Sequence, residues 1–237
     1  MNRSDRKIQV CLSPDLLHLF DISHSIVVIV DILRATSCMV TALAHGIKDI
    51  TPVATLEECQ KLKAAGMLTA AERDGKKADG FDLGNSPFAF MDPMLKGQRL
   101  AMTTTNGTQA IVRSAGAKHI FIGAFLNISA LASRVRLMTE DIVIVCAGWK
   151  GSVNAEDSYF AGALCDMLSH NLNMDGDAAL MAHSMFKYYE HQPMALIEKS
   201  SHYLRLRKLG IMDDIIFCLR YDVYNTIPKC SNGLITA

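Results

Sequence analysis

Ser25-Ile26-Val27-Val28-Ile29-Val30-Asp31 is the stretch on which the fold turns. Its uninterrupted β-branched run is too short for a helix and has no polar face, so it reads as a strand covered on both sides, the mark of a parallel sheet. Working outward, residues 36–45 place Met39, Val40, Leu43 and Ala44 at helical spacing, and Gly46 stops them. Further strands are expected at 47–53, 67–71, 98–103, 118–124 and 141–147, and helices at 55–65, 106–115, 127–138 and 155–169. This alternation predicts an α/β fold, a layered α/β/α arrangement with a mainly parallel sheet. Beyond residue 177 the pattern becomes mostly helical, closing with an expected strand pair at 223–228 and 233–236. The two irregular stretches are 73–87, polar and long enough for an active-site loop, and 171–176. The 237 residues suit one α/β domain spanning 1–237, or two packed lobes with a break near 171–176.

Composition narrows the function. Half the residues are hydrophobic, which excludes a disordered chain. Lys and Arg total 24 against 24 Asp and Glu, so the basic excess typical of nucleic-acid binders is missing. The first residues, Met-Asn-Arg-Ser-Asp-Arg-Lys, carry no apolar core of a secretory leader, and the longest apolar run, Ile26 to Val30, cannot span a bilayer. Seven Cys without a C-x-x-C pair read as reduced, buried thiols of a cytoplasmic protein.

In open α/β sheets ligands bind beyond the carboxyl ends of the strands, and there this sequence collects polar residues. Asp31 to Ser37 follow the first quoted strand, and Thr103-Thr104-Thr105-Asn106-Gly107-Thr108 follow another. Asn127 and Ser129 follow a third, and Ala147-Gly148-Trp149-Lys150-Gly151 with Glu156-Asp157 a fourth. The threonine-rich segment suits a phosphate cradle, with hydroxyl donors, a glycine for close approach and a helix start; Thr104 to Asn106 equally suit a plain helix cap. Asp31, at the end of a buried strand, needs a cation or a partner. Magnesium, which prefers hard oxygen ligands, would serve, as would an ion pair with Arg34, whose planar fork also suits phosphate, carboxylate or sulfonate. Glu156 and Asp157 fall in a first helical turn behind Asn154, where carboxylates serve as a capping box or as metal ligands facing Asp31. No Cys is followed by Arg at the spacing of cysteine phosphatases, and neither a Walker A loop nor a G-x-S-x-G elbow is present. His183, His191 and His202 lie in the helical tail without H-E-x-x-H spacing and read as surface residues.

Five ordered blocks then resemble one family. They are Asp31-Ile-Leu-Arg-Ala-Thr-Ser37, Gly80-Phe-Asp-Leu-Gly-Asn-Ser-Pro87, Thr103-Thr-Thr-Asn-Gly-Thr108, Cys146-Ala-Gly with Glu156-Asp157 and Ala161-Gly162, and the tail carrying Leu209-Gly210, Asp213-Asp214-Ile215, Cys218, Asp222 and Pro228. Together they are similar to the 2-phosphosulfolactate phosphatases from about residue 8 to 236. Cys38, Ile32 and Ala155 stand where Thr, Val and Leu are expected, changes that spare the polar groups.

The resemblance implies Mg²⁺-dependent hydrolysis of 2-phosphosulfolactate to sulfolactate and phosphate, an early step of coenzyme M biosynthesis where that cofactor is made. Catalysis is expected from Asp31, Arg34 and Glu72, and metal binding from Asp31, Glu156 and Asp157. Substrate binding is expected from Arg73, Asn85, Ser86, Thr104, Thr105, Asn106, Gly107, Asn127 and Gly148. Attack by Asp31 on phosphorus and attack by a metal-bound water both stay open; Leu33 stands where haloacid-dehalogenase-type phosphatases carry a second Asp. Such a reaction demands transition-state stabilisation above ~20 kcal/mol. The partner is then a small anionic phosphorylated substrate, with a homodimer as the default assembly. A phosphatase for another 2-phospho-hydroxy acid and a non-catalytic phospho-metabolite binder are the alternatives.

Overall fold

A computed structural model of the chain describes residues 5–237. Its strands are β1 (Lys7–Cys11), β2 (Ile26–Val30), β3 (Asp49–Pro52), β4 (Leu68–Arg73), β5 (Lys76–Lys77), β6 (Arg99–Thr103), β7 (His119–Gly123), β8 (Ile142–Cys146), β9 (Asn173–Met174), β10 (Lys229–Ser231) and β11 (Leu234–Thr236). Its helices are α1 (Ala35–Ala44), α2 (Leu56–Ala64), α3 (Gly107–Arg113), α4 (Ile128–Arg136), α5 (Ala155–Leu168), α6 (Asp177–Tyr189), α7 (Pro193–Ile197), α8 (Ser201–Lys208) and α9 (Met212–Cys218). The strands form one sheet in the order β5-β4-β6-β3-β11-β10-β7-β2-β8-β1-β9. This is the expected α/β class, mostly parallel, with a helical C-terminal part.

The quoted run lies at the heart of the sheet. β2 pairs in parallel with both β7 and β8, and every residue of β2 and β8 is buried. Alternation of polar and apolar residues is therefore absent from these strands because neither face meets water. Two short strands escape the hydrophobic pattern. β1 adds to the far side of β8, and β9, inside the irregular stretch 171–176, pairs with β1.

The two parallel blocks, β4-β6-β3 and β7-β2-β8-β1, are joined by the hairpin β10-β11. Its strands are antiparallel to each other, to β7 and to β3. Three antiparallel steps leave the blocks with opposite polarity along the ladder. Strand twist of roughly 20–25° per step, accumulated over the five steps from β2 to β6, accounts for their carboxyl ends still meeting. The hairpin itself corrects the expected pair at 223–228 and 233–236. Asn232 and Gly233 both take positive φ, 52° and 74°, the Asn-Gly turn that suits the twist of a two-residue hairpin, so the pair starts at Lys229. Residues 223–228 run as an irregular crossing instead. Tyr224 donates its N–H to the Leu126 carbonyl (2.8 Å), and the Pro228 carbonyl accepts from Ile122 N–H (2.9 Å).

All seven cysteines are free and buried. Among the described residues no helix is long and apolar enough to cross a membrane.

Ile235 is fully buried where β11 meets both β10 and β3. Ile235→Ala is expected to lower the unfolding free energy by about 2–5 kcal/mol. Urea titration followed by circular dichroism measures this; a change under about 1 kcal/mol would contradict the central place given to the hairpin.

Candidate active site

A cleft opens where β2, β4 and β6 end and α8 crosses above them. Its lining includes Asp31, Arg34, Glu72, Asn85 and Asn106 from the sheet side, Trp149 from the loop after β8, and His202 and Arg205 from α8.

Asp31 directly follows β2 and is buried. Its Oδ1 accepts from the Ala35 N–H at 3.3 Å, while Thr36 closes the turn by donating to the Asp31 carbonyl (2.9 Å). Gly107 comes so near that a Cβ there would lie 2.7 Å from Asp31 Oδ2 and 2.6 Å from Ala35 Cβ. Close approach, rather than φ, is why a glycine opens α3. Burial pushes the Asp31 carboxyl up to about 6; Glu72 and Glu156 add repulsion, while His202 and the Ala35 N–H oppose it.

Arg34 is paired, but not with Asp31. Its Nη1 donates to Asp214 Oδ2 of α9 and its Nη2 to the Gly75 carbonyl at 2.9 Å. Ser86 donates to the other Asp214 oxygen at 2.9 Å. With side chains only 5% and 7% exposed, Arg34 and Asp214 form a buried ion pair that binds four segments together.

Glu72 and Asp157 use their carboxylates to hold backbone. Glu72 accepts from the Gly75 N–H and from Thr105 N–H and hydroxyl, each at 3.2 Å to Oε2. Asp157 accepts from Ile32 N–H at 2.8 Å and from Gly148 N–H at 3.1 Å. It thereby ties the turn after β2 to the turn after β8. Burial holds the Asp157 carboxyl well above its ordinary range, and Asp31 and Glu156 push the same way. Asn154 caps α5 by accepting from Asp157 N–H (3.2 Å).

The threonine segment divides. Thr104 and Thr108 close the turn into α3: Thr104 Oγ1 accepts from Thr108 N–H (3.2 Å) and Thr108 Oγ1 from Thr104 N–H (3.1 Å). Asn106 lines the cleft, and its Oδ1 accepts from Lys150 N–H at 2.9 Å. Arg73 reaches Thr103 Oγ1 (3.1 Å) and the Glu72 carbonyl (2.6 Å). Asn85 lines the cleft with its Oδ1 buried and unpartnered. Asn127 is not brought there. Fully buried, it accepts from Ala124 N–H (3.0 Å) and donates to the Ile122 (3.3 Å) and Thr226 (2.9 Å) carbonyls, joining the β7 turn to the crossing segment.

Three cleft residues escaped the sequence reading. Trp149 falls within a polar block but had no role. His202, expected at the surface, is buried and bonds through Nδ1 to Glu156; the ring stands 5.6 Å from that of Trp149. Arg205, three residues along the same face of α8, stacks on Trp149. No spacing within the tail marks them, because their partners lie about 50 residues upstream. His183 instead bonds to Asp166 on α5 (2.9 Å), and His191 is exposed.

Among the described residues no three His, Cys, Asp or Glu side chains are arranged to share a metal ion. For Asp157 the reason is visible, since backbone N–H groups occupy both its oxygens. Asp31 and Asn85 both line the cleft, and the buried, unpartnered Oδ1 of Asn85 is the kind of hard oxygen donor a magnesium ion takes. Magnesium keeps several waters and takes one or two carboxylates with substrate phosphate.

Two consequences are measurable. Asp214→Ala leaves the Arg34 charge buried without its partner and is expected to cost about 3–5 kcal/mol of stability, read by chemical denaturation. The second concerns Asp31. Its folded pKa lies above its unfolded one, so its contribution is fully present below pH about 4 and lost as pH rises through about 6. In EDTA, Asp31→Asn should therefore match the parent protein at pH 4 and exceed it by on the order of 3 kcal/mol at pH 8. An equal gain at both pH values would contradict the burial cost.

Comparison with known proteins bears on this cleft directly. The family described as 2-phosphosulpholactate phosphatase matches residues 11–233. A relative from Caldanaerobacter subterraneus subsp. tengcongensis is 37% identical over 220 residues, covering 91% of each chain. One from Thermotoga petrophila is 40% identical over 207 residues, 87% of this chain and 89% of its own. One from Clostridium kluyveri is 33% identical over 234 residues, 97% of each. All three carry the name probable 2-phosphosulfolactate phosphatase. The matched region contains every residue lining the cleft, and the chain belongs to the 2-phosphosulfolactate phosphatase family.

Proposed function

We propose that this protein is a phosphoric monoester hydrolase that converts 2-phosphosulfolactate to sulfolactate and inorganic phosphate in the cytoplasm with Mg²⁺, the reaction type of early coenzyme M biosynthesis. The observation that carries the reading is the coincidence just described: a family match over 11–233 that encloses one cleft rich in buried charge.

The substrate would bring a phosphate, a carboxylate and a sulfonate on three carbons. Such a ligand needs directed donors and a site already shaped for charge, since most of the stabilisation must come from positioning and electrostatics. Asp31 stands at the reacting end, where the turn into α1 and the start of α3 crowd against it. Asp31 and Asn85 would hold Mg²⁺, which supplies charge neutralisation for the phosphoryl oxygens. Asn106 turns its amide nitrogen free while its oxygen holds the Lys150 loop. His202, oriented by Glu156 through Nδ1, leaves Nε2 for a proton on the cleft side. Arg34, Glu72 and Asp157 keep these groups in place through the bonds described above.

The test is phosphate release from 2-phosphosulfolactate after EDTA treatment, with and without added Mg²⁺, beside a panel of other phosphate monoesters. Strong Mg²⁺-dependent release from the sulfonated substrate is expected, and Asp31→Asn should lower kcat by at least about 10³-fold. Release only from other esters would keep the phosphatase and discard the substrate. Binding without release from any ester would make the protein a non-catalytic phospho-metabolite binder.

A further inference from the structure

Buried polar atoms in folded proteins nearly always find hydrogen-bond partners, so the exceptions ask for an explanation. Among the described residues the unpartnered buried side-chain atoms lie on Asn85, Ser114, Glu156 and Arg205. Three of these four residues gather at one place: Asn85 and Arg205 line the cleft, and Glu156 is bonded to His202, which lines it too. Arg205 is the extreme case. Both Nε and Nη2 of its guanidinium are buried without an acceptor.

The other cations near the cleft are engaged. Arg34 holds Asp214 and the Gly75 carbonyl, Arg73 holds Thr103 and the Glu72 carbonyl, and Lys150 holds Asp74. Arg205 differs in being held by its face rather than its edge. Its guanidinium carbon sits 3.2 Å from the centre of the Trp149 ring, and Trp149 is itself pinned by a reciprocal backbone pair with Ser152 (2.8 and 2.9 Å). Stacking fixes the plane of the fork and leaves its N–H edge for a ligand in that plane. Nε and Nη2 are adjacent donors, spaced for two oxygens of one tetrahedral oxyanion.

We propose that Arg205, stacked on Trp149, is the oxyanion clamp of this cleft, donating through Nε and Nη2 to two oxygens of a phosphoryl or sulfonate group of the ligand. The clamp rests on the phosphatase reading only for the source of the oxyanion. It differs from the role expected of Arg34, which serves the scaffold.

Isothermal titration of the whole protein with inorganic phosphate and, separately, with sulfolactate tests this without turnover. Arg205→Met keeps an apolar stem against Trp149 and removes the donors. It should melt no lower than the parent protein yet bind phosphate, sulfolactate or both roughly ten- to hundredfold more weakly. Arg205→Lys, lacking the fork, should recover only a small part. Loss confined to sulfolactate would assign the sulfonate to Arg205, and loss confined to phosphate the phosphoryl group. Asp31→Asn, which removes turnover, should keep the Arg205-dependent difference, so failure of the phosphatase reading and failure of the clamp are separable. Affinities within twofold of the parent in Arg205→Met, or a parent protein that binds neither probe, would overturn the proposal. A lowered melting temperature with unchanged affinity would do the same and make Arg205 a packing residue of Trp149.

Discussion

The buried pair between Arg34 and Asp214 is the interaction on which the rest of the site depends. Two charges withdrawn from water are costly, and their attraction offsets this only when the remaining donors and acceptors are also satisfied. Here they are: the Gly75 carbonyl takes the second guanidinium nitrogen and the Ser86 hydroxyl the second carboxylate oxygen. The pair thereby fastens the turn after β2, the loop after β4, the Asn85-Ser86 turn and α9 to one point. Since α8 directly precedes α9 in the chain, fastening α9 also brings α8 over the carboxyl ends of the strands. The cleft thus has a floor made by the sheet and a roof made by helices that belong to a different part of the sequence.

Within that enclosure the acidic residues divide by what satisfies them. Glu72 and Asp157 accept backbone N–H groups and thereby hold the loops after β4, β6, β2 and β8 in place. Asp31 lines the cleft, and burial opposes its ionisation. Like charges packed this closely resist ionising together. The site therefore favours what would relieve them, a cation or a donor brought in with the substrate. Arg205 mirrors this on the positive side, being desolvated, attracted to Glu72, Asp74, Glu156 and Asp31 without bonding to them, and lined up by Trp149.

Much of the fold was legible because a strand buried on both faces leaves an unambiguous run, as β2 and β8 do. The edge strands β5 and β9 were not, since two residues carry too little pattern, and neither was β1, whose five residues mix charged, polar and apolar side chains. The final hairpin was misplaced because the run 223–228 looked extended, while the stronger local signal, Asn232-Gly233, lay further on. At the site, residues following the strands were legible because the chain delivers them there directly: Asp31, Arg34, Glu72 and Asn106 all line the cleft. What spacing could not reveal was tertiary partnership. Arg34 looked like a ligand for an anion and is an internal partner of Asp214; His202 looked exposed and meets Glu156. Arg205 had no local mark at all, because its meaning comes from Trp149, some 50 residues earlier.

Labour in the cleft is divided: Arg34 builds it with Asp214, while Arg205, Asn85, Asn106 and Asp31 line it for the ligand. A crystal structure with sulfolactate and phosphate bound tests it most directly. Oxyanion density is expected within hydrogen-bond distance of Arg205 Nε and Nη2, with Arg34 still on Asp214. Ligand density on Arg34 with Asp214 released, or in a pocket away from these residues, would contradict it.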